Sequence, residues 1–79
     1  MDYAVTATLI GRIVDDEAAR IVAQLSDHAA SIEAHPDQPD RFDVAFVLRA
    51  GSEREAVVRA LSASDDLGYR LVRLQVLPS

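Results

Sequence analysis

Residues 41–55, Arg-Phe-Asp-Val-Ala-Phe-Val-Leu-Arg-Ala-Gly-Ser-Glu-Arg-Glu, contain a strand pattern followed directly by the start of a helix. From Arg41 to Arg49 every second residue is a large apolar one, which is typical of a strand with one buried face. A glycine interrupts this pattern, and Ser52 and Glu55 then have the spacing of a capping box, in which the serine hydroxyl accepts from the backbone N–H of the glutamate. The stretch therefore predicts a strand over Arg41–Arg49 and a helix from Ser52 to about Ser64.

The N-terminal third of the chain repeats this order of strand and helix. Residues alternate between two faces from Tyr3 to Ile13, which predicts a first strand. Three acids follow at residues 15–17, where a side chain can cap the free N–H groups of a helix and negative charge is favoured. Apolar residues then recur at helical spacing, so a first helix is predicted over Asp16–Ala29.

Two further strands complete the order of elements. Ser31–His35 predicts a short strand, and residues 36–40 predict a turn, because their two prolines donate no backbone hydrogen bonds. Gly68 suits the end of the second helix, and Tyr69–Leu77 predicts the last strand. The resulting order, βαββαβ, is that of the ferredoxin-like fold, an α+β sandwich in which a four-stranded antiparallel sheet carries two helices on one face. We expect residues 1–79 to form a single domain of this kind.

The composition argues against several classes of protein. The chain has 79 residues, is 49% hydrophobic, contains no cysteine and has a net charge of −5. It is apolar enough to fold, whereas the lack of cysteine removes thiolate catalysis and zinc ribbons. No apolar run is long enough to span a membrane, and the acidic balance argues against binding to a nucleic-acid backbone. Since no export signal is recognisable, we expect a small acidic protein of the cytoplasm that binds neither membranes nor nucleic acids.

The alternation divides the predicted sheet into two faces. The face that we expect the helices to cover carries Val5, Leu9, Phe42, Phe46, Val72 and Leu74. The opposite face is half apolar and has small side chains on its central strands, which would allow another sheet to approach closely. An alternative is that threonine and valine occur there only because they favour strands.

We therefore predict a small protein-interaction or assembly module in which no catalytic activity is evident. It would form a homo-oligomer, most simply a homodimer, or bind another protein, through this face or through an edge strand. The predicted interface residues are Thr6, Thr8, Ala45, Val47 and Leu71.

Two arginines of the same face are candidate ligand-binding residues. Arg49 and Arg73 are predicted to project from neighbouring parts of the face, with Asp43 as a counter-ion. The planar guanidinium group suits a carboxylate or a phosphate, so the pair would bind a small anion. Ion pairs with acidic residues, at the surface or between subunits, are the alternative.

The sequence contains no nucleophile motif and no phosphate-binding loop. The histidines, His28 and His35, do not have the spacing of metal ligands on a helix. A metal site would have to combine His35 with Asp37, Asp40 and Asp43, and acidic turns of this kind are ordinary solvated loops far more often than ion sites. We therefore predict no catalytic residue, no metal and no cofactor, and the sequence leaves open whether the protein is an enzyme.

The order of elements resembles that of two known families. It is similar to the ACT regulatory domains, which bind amino acids at subunit interfaces, although residues 11–16, Gly-Arg-Ile-Val-Asp-Asp, differ from the turn that follows the first strand of those domains. It also resembles the dimeric α+β barrel proteins, whose sheets pack face to face and form small active sites. These resemblances imply two alternatives to an interaction module: a regulatory domain that senses an amino acid or another small anion, and a small dimeric enzyme.

Overall fold

Four strands, two helices and one short 3₁₀ helix make up the molecule. The computed structural model describes all 79 residues. The elements are β1 (Asp2–Ile10), α1 (Asp15–Gln24), a 3₁₀ turn (Ser26–His28), β2 (Ser31–Ala34), β3 (Arg41–Arg49), α2 (Glu53–Asp65) and β4 (Arg70–Pro78). The strands form one antiparallel sheet in the order β2-β3-β1-β4, which confirms the predicted ferredoxin-like fold. Neither helix has the length and apolar character that crossing a membrane requires.

The two central strands pair along their whole length. In β1 and β3, Asp2 lies opposite Arg49 and Ile10 lies opposite Arg41. The short strand β2 pairs only with residues 42–45 of β3, so the second half of β3 has no neighbouring strand on that side. The strand β4 pairs with the other edge of β1 and forms the opposite edge of the sheet.

The core lies between the sheet and the two helices. The alternate residues of β1 and β3 that were predicted to be buried form it, with Phe42 and Leu9 completely inaccessible to solvent. The helix α1 contributes Ile21, whereas α2 contributes Ala56 and Ala60, whose small side chains allow the helix to lie close to the sheet. Burial of this apolar surface is the main force that holds the fold together, because the chain has no disulfide.

The helix α2 begins as the sequence predicts. The Glu55 backbone N–H donates to Ser52 Oγ at 3.2 Å, and the Gly51 N–H donates to the Glu55 carboxylate at 3.1 Å. The helix α1 is different, because its N-cap residue is Val14, which offers no side-chain acceptor. The prediction that an acid caps this helix is therefore wrong. The acids at residues 15–17 lie inside the first turn, where they interact favourably with the helix dipole.

The strand β1 ends at Ile10 rather than at the predicted Ile13. Gly11 has φ +154° and lies against the ring of Tyr69, where a Cβ atom would approach to 2.8 Å. Its N–H donates to the carbonyl of Asp40 at 2.7 Å instead of continuing the strand ladder. Only glycine tolerates both this conformation and this close approach, so the chain leaves the sheet at Gly11.

The helix α1 is also shorter than predicted and ends at Gln24. The sequence Ser26–His28 forms the 3₁₀ turn, which Ala29 terminates in the left-handed conformation with φ 52°. The helical spacing of apolar residues continues through this region, but serine and aspartate favour turns over helix interiors.

The strand β4 contains a bulge that the alternation does not reveal. Arg73 lies opposite Thr8, but Leu71 lies opposite the next residue, Leu9, so Val72 is an extra residue in β4. The bulge turns Leu71 to the helix side, where it packs against the core, and leaves Val72 47% exposed. The predictions that Leu71 belongs to the open side of the sheet and that Val72 belongs to the core are therefore wrong.

Candidate functional site

The sheet face opposite the helices is called the open face below. Alternate residues of all four strands form it, and the strand register arranges them in rows across the sheet. They are Ser31 and Glu33 of β2, Arg41, Asp43, Ala45, Val47 and Arg49 of β3, Asp2, Ala4, Thr6, Thr8 and Ile10 of β1, and Arg70, Arg73, Gln75 and Leu77 of β4.

Two adjacent rows of the open face carry no charge, and they are called the neutral rows. The first consists of Val47, Ala4 and Leu77, and the second consists of Ser31, Ala45, Thr6 and Gln75. In the first row the valine is 37% exposed and the leucine 51% exposed, on either side of a small alanine. The first neutral row therefore presents apolar side chains to the solvent, and the second presents uncharged polar side chains and one alanine, with room for a second layer above both.

Of the five predicted interface residues, the structure places Thr6, Thr8, Ala45 and Val47 on the open face. The fifth, Leu71, lies on the helix side because of the bulge in β4.

The next row is the charged row, which runs from Glu33 through Asp43 and Thr8 to Arg73. The Thr8 hydroxyl donates to Asp43 Oδ1 at 2.6 Å, and the same oxygen lies 2.9 Å from Nε2 of His35, just beyond the end of β2. Although burial raises the pKa of Asp43, the hydrogen bonds from Thr8 and His35 and the positive charges of His35 and Arg73 outweigh it and lower that pKa. Asp43 is therefore held as a carboxylate in the middle of the face.

The two arginines predicted to share a ligand are far apart. Arg49 lies opposite Asp2, whose Oδ1 is 3.3 Å from the arginine Nε, whereas Arg73 lies opposite Thr8. These positions of β1 are separated by roughly 20 Å, at about 3.4 Å per residue. The prediction that the arginines are neighbours is wrong, so one small anion cannot bind both of them. Of the two arginines, only Arg73 has Asp43 as a counter-ion.

Both long edges of the sheet are obstructed over part of their length. On β4, the bulge at Val72 bends the strand, and Pro78 has no N–H to donate. On the unpaired half of β3, the Val47 carbonyl oxygen lies 3.1 Å from Nδ1 of His28, and the Arg49 carbonyl accepts a hydrogen bond from Nη1 of Arg59 at 2.8 Å. Addition of a further strand would have to overcome these features, whereas nothing comparable protects the neutral rows of the open face.

A groove of about 730 Å³ lies between the 3₁₀ turn, the second half of β3 and α2. Both signs of charge line it, since Arg49 and Arg59 face Asp27 and Asp66 there. The arginine groups already have partners, because Arg49 pairs with Asp2 and Arg59 pairs with Glu55 at 2.9 Å. The groove therefore does not supply a free cation for a ligand.

No three side chains of histidine, aspartate or glutamate lie close enough together to hold a metal ion. Of the residues considered for such a site, the structure joins only His35 and Asp43, as an ion pair. This contact links His35 to the Asp43 carboxylate of the charged row, and it does not form a metal centre.

A second polar cluster, not evident from the sequence, lies on the helix side. The Tyr69 hydroxyl donates to Glu17 Oε2 at 2.8 Å, and Arg20 Nη2 lies 2.9 Å from the same oxygen. The hydrogen bond from Arg20, together with that from Tyr69, lowers the pKa of Glu17, while burial and this carboxylate raise the pKa of Tyr69. The cluster joins α1 to the start of β4, and no local pattern signals it because Glu17 and Tyr69 are 52 residues apart.

No protein-family model matches the chain, and no curated protein matches it significantly in sequence. Among solved structures, it is similar to one from Chloroflexus aurantiacus J-10-fl, a protein proposed to be an antibiotic biosynthesis monooxygenase. The match has a TM-score of 0.53 at 13% sequence identity and covers 100% of this chain and 94% of that one. The two proteins therefore share a fold over their whole length, and at this identity the likeness extends to the fold alone.

Proposed function

We propose that the protein is a self-associating module in which the open face packs against the open face of a second copy. The observation that carries this proposal is the pair of neutral rows, which leave apolar side chains such as Val47 and Leu77 in contact with solvent. The apolar row of Val47, Ala4 and Leu77, bordered by uncharged polar residues, is typical of an interaction site on a small protein. The small side chains of Ala4 and Ala45 would allow two sheets to approach to the usual separation of about 10 Å.

The size of the open face is sufficient for a dimer. Three strands that extend about 30 Å and the four-residue β2, all about 4.8 Å apart, cover roughly 500 Å². Two copies would then bury roughly 1,000 Å², which is about the minimum for a specific interface and is typical of a weak one. We therefore expect a reversible dimer whose population follows the protein concentration.

The alternative of association through an edge strand has less support. An intermolecular sheet needs free backbone donors and acceptors along an edge. The side chains of His28 and Arg59 contact carbonyl oxygens of β3 that an added strand would need as acceptors. The bulge and Pro78 interrupt the edge of β4. Face-to-face packing does not require these groups.

The proposal is tested by measuring molar mass by light scattering across roughly 1 to 100 µM, since association depends on concentration. The wild-type protein should form a dimer, and Val47→Glu should be monomeric, because a carboxylate would be buried without a partner between the two sheets. The matched control is Val58→Glu, which introduces the same charge at a 61% exposed valine of α2 and should leave the dimer intact.

A wild-type protein that remains monomeric throughout this range would contradict the proposal. So would a Val47→Glu variant that dimerises as well as the control. A monomer would also direct attention to a different protein as the occupant of the open face.

A monooxygenase activity is a second candidate, supported by the likeness in fold to the Chloroflexus aurantiacus protein. The residues that would contribute are His35 and Asp43, since the carboxylate holds one ring nitrogen of the histidine at 2.9 Å and leaves the other available to exchange a proton. Oxygen uptake with a library of small organic compounds tests this candidate. Uptake that is lost in His35→Ala would support it, and the absence of uptake with any compound would count against it.

A further inference from the structure

The charges of the open face are distributed unevenly between its two sides. In the charged row, Glu33 and Asp43 lie on the β2–β3 side, and Arg73 lies on the β4 side. At the far end of the face the order is reversed, because Arg49 lies on β3 and Asp2 lies on β1. Each row that carries charges of both signs therefore has a positive and a negative half.

Two copies that pack face to face are related by a two-fold axis in the plane between the sheets. An axis parallel to the strands keeps each row in place and exchanges its two sides, so that β2 lies over the partner's β4. Glu33 then faces the partner's Arg73, and Arg49 faces the partner's Asp2. The neutral rows lie over the neutral rows of the partner.

An axis perpendicular to the strands gives a less favourable arrangement. It keeps each strand over its own equivalent and reverses the order of the rows. Val47 would then lie over the partner's Asp43, and Leu77 would lie over the partner's Arg73. This packing buries charges against apolar side chains, which is costly without a compensating partner.

We propose that the dimer has its two-fold axis parallel to the strands and is held in register by ion pairs between Glu33 of each subunit and the partner's Arg73. This inference rests on the proposed function and specifies the geometry of the same interface. One row opposes it, since Arg41 would lie near the partner's Arg70. Its cost is limited, because this row is at the end of the face and Arg41 Nε lies 3.8 Å from Asp40 of its own chain.

Within one chain, Glu33 and Arg73 do not pair with each other. They lie at the two ends of the charged row, three strand spacings apart, which is roughly 14 Å at about 4.8 Å per spacing. Both side chains are exposed, and no ion pair joins either of them to a residue of its own chain within contact distance. Reversal at Arg73 replaces the charge that favours the Asp43 carboxylate by a like charge, so we expect this variant to fold with somewhat lower stability. Circular dichroism and urea denaturation of each variant, compared with the wild type, verify folding before association is measured.

The test uses the variants Arg73→Glu and Glu33→Arg, first separately and then mixed. Each variant alone places like charges against each other in both pairs, and we expect its dimer dissociation constant to rise at least about tenfold. In the mixture, a heterodimer has opposite charges in both pairs. Sedimentation equilibrium should then give a dissociation constant close to that of the wild type, and native mass spectrometry should show the heterodimer as the main dimer.

The matched control is Arg54→Glu, which makes the same charge change on α2, away from the open face. Alone it should dimerise like the wild type, and mixed with Glu33→Arg it should give no preferred heterodimer. Two single variants that dimerise like the wild type, or a mixture without preferred heterodimers, would overturn the inference while leaving the self-association itself in place. A monomeric wild type would overturn both.

Discussion

The two faces of the sheet are built from alternate residues of the same strands, but different interactions shield them from water. On the helix side, Phe42 and Val44 are fully buried by apolar neighbours from the helices and strands. On the open face, Thr8 is only 9% exposed although no helix covers it, because it lies between Asp43 and Arg73 and donates a hydrogen bond to the carboxylate. The comparison indicates that apolar burial on the helix side supplies most of the folding free energy, whereas hydrogen bonding and opposite charges shield parts of the open face.

The largest effect is expected from Phe42→Ala on the helix side. Removal of this ring leaves a cavity in the core and removes an edge-to-face contact with Tyr69 at a centroid distance of 5.1 Å. The free energy of unfolding should fall by about 3 to 5 kcal/mol, which is the usual cost of such a truncation. Urea denaturation followed by circular dichroism measures it. A loss below about 1 kcal/mol would mean that the core does not dominate stability in the way the comparison requires.

An intermediate effect is expected from Asp43→Asn on the open face. At pH 7 the free energy of unfolding of the variant should be about 1 kcal/mol lower than that of the wild type, because a hydrogen bond to a charged acceptor becomes one to a neutral acceptor. The pKa of Asp43 is lowered in the folded protein, so the stability that its charge contributes is fully present above the unfolded value of 3.8 and disappears as the pH falls through the folded value. Urea denaturation at neutral and acidic pH should therefore show the two proteins converging below that value.

The control for this pH dependence is Asp37→Asn. It makes the same substitution at an exposed acid that forms no hydrogen bond or ion pair through its side chain. Its difference from the wild type should be small. A difference between Asp43→Asn and wild type that stays constant with pH would show that the carboxylate charge is not what stabilises the charged row.

The smallest effect is expected from Leu77→Thr in the neutral rows. The side chain is 51% exposed, and threonine has a favourable strand propensity, so the monomer should change in unfolding free energy by no more than about 0.5 kcal/mol. The measurement requires a protein concentration at which the copies are dissociated. A loss as large as that of Phe42→Ala would erase the distinction between the two faces.

The sequence was sufficient to predict the strands and the order of the elements. Alternation over Arg41–Arg49 is clear because every second residue from Phe42 to Leu48 is a large apolar one and both ends of the stretch are charged. The start of α2 was predictable for a similar reason, since Ser52 and Glu55 form their capping contacts within a few residues of each other. Local patterns of this kind depend only on neighbouring residues.

Some features that the sequence did not reveal depend on contacts between residues far apart in the chain. Others occur at positions where two neighbouring residues fit the local pattern equally well. Leu71 and Val72 are both apolar strand formers, so the alternation of β4 is compatible with either facing the core, and only the pairing with Leu9 decides. The separation of Arg49 from Arg73 and the hydrogen bond from Thr8 to Asp43 likewise follow from strand register, which fixes which residues of remote segments become neighbours. The sequence thus predicted which face of the sheet carries the candidate site, but not which residues of that face lie next to one another.

The central position of β1 has a consequence for how the chain folds during its synthesis. Ala4 pairs with Val47 on one side and with Leu77 on the other, so its neighbours are made much later than it is. At a translation rate of about 5 to 20 residues per second, roughly 3 to 15 seconds separate the first strand from the last. During that interval the β2–β3 hairpin can form from local contacts, whereas one edge of β1 stays open to other nascent chains and to chaperones. Within this sheet, the first strand to be made is therefore the last to be paired on both sides.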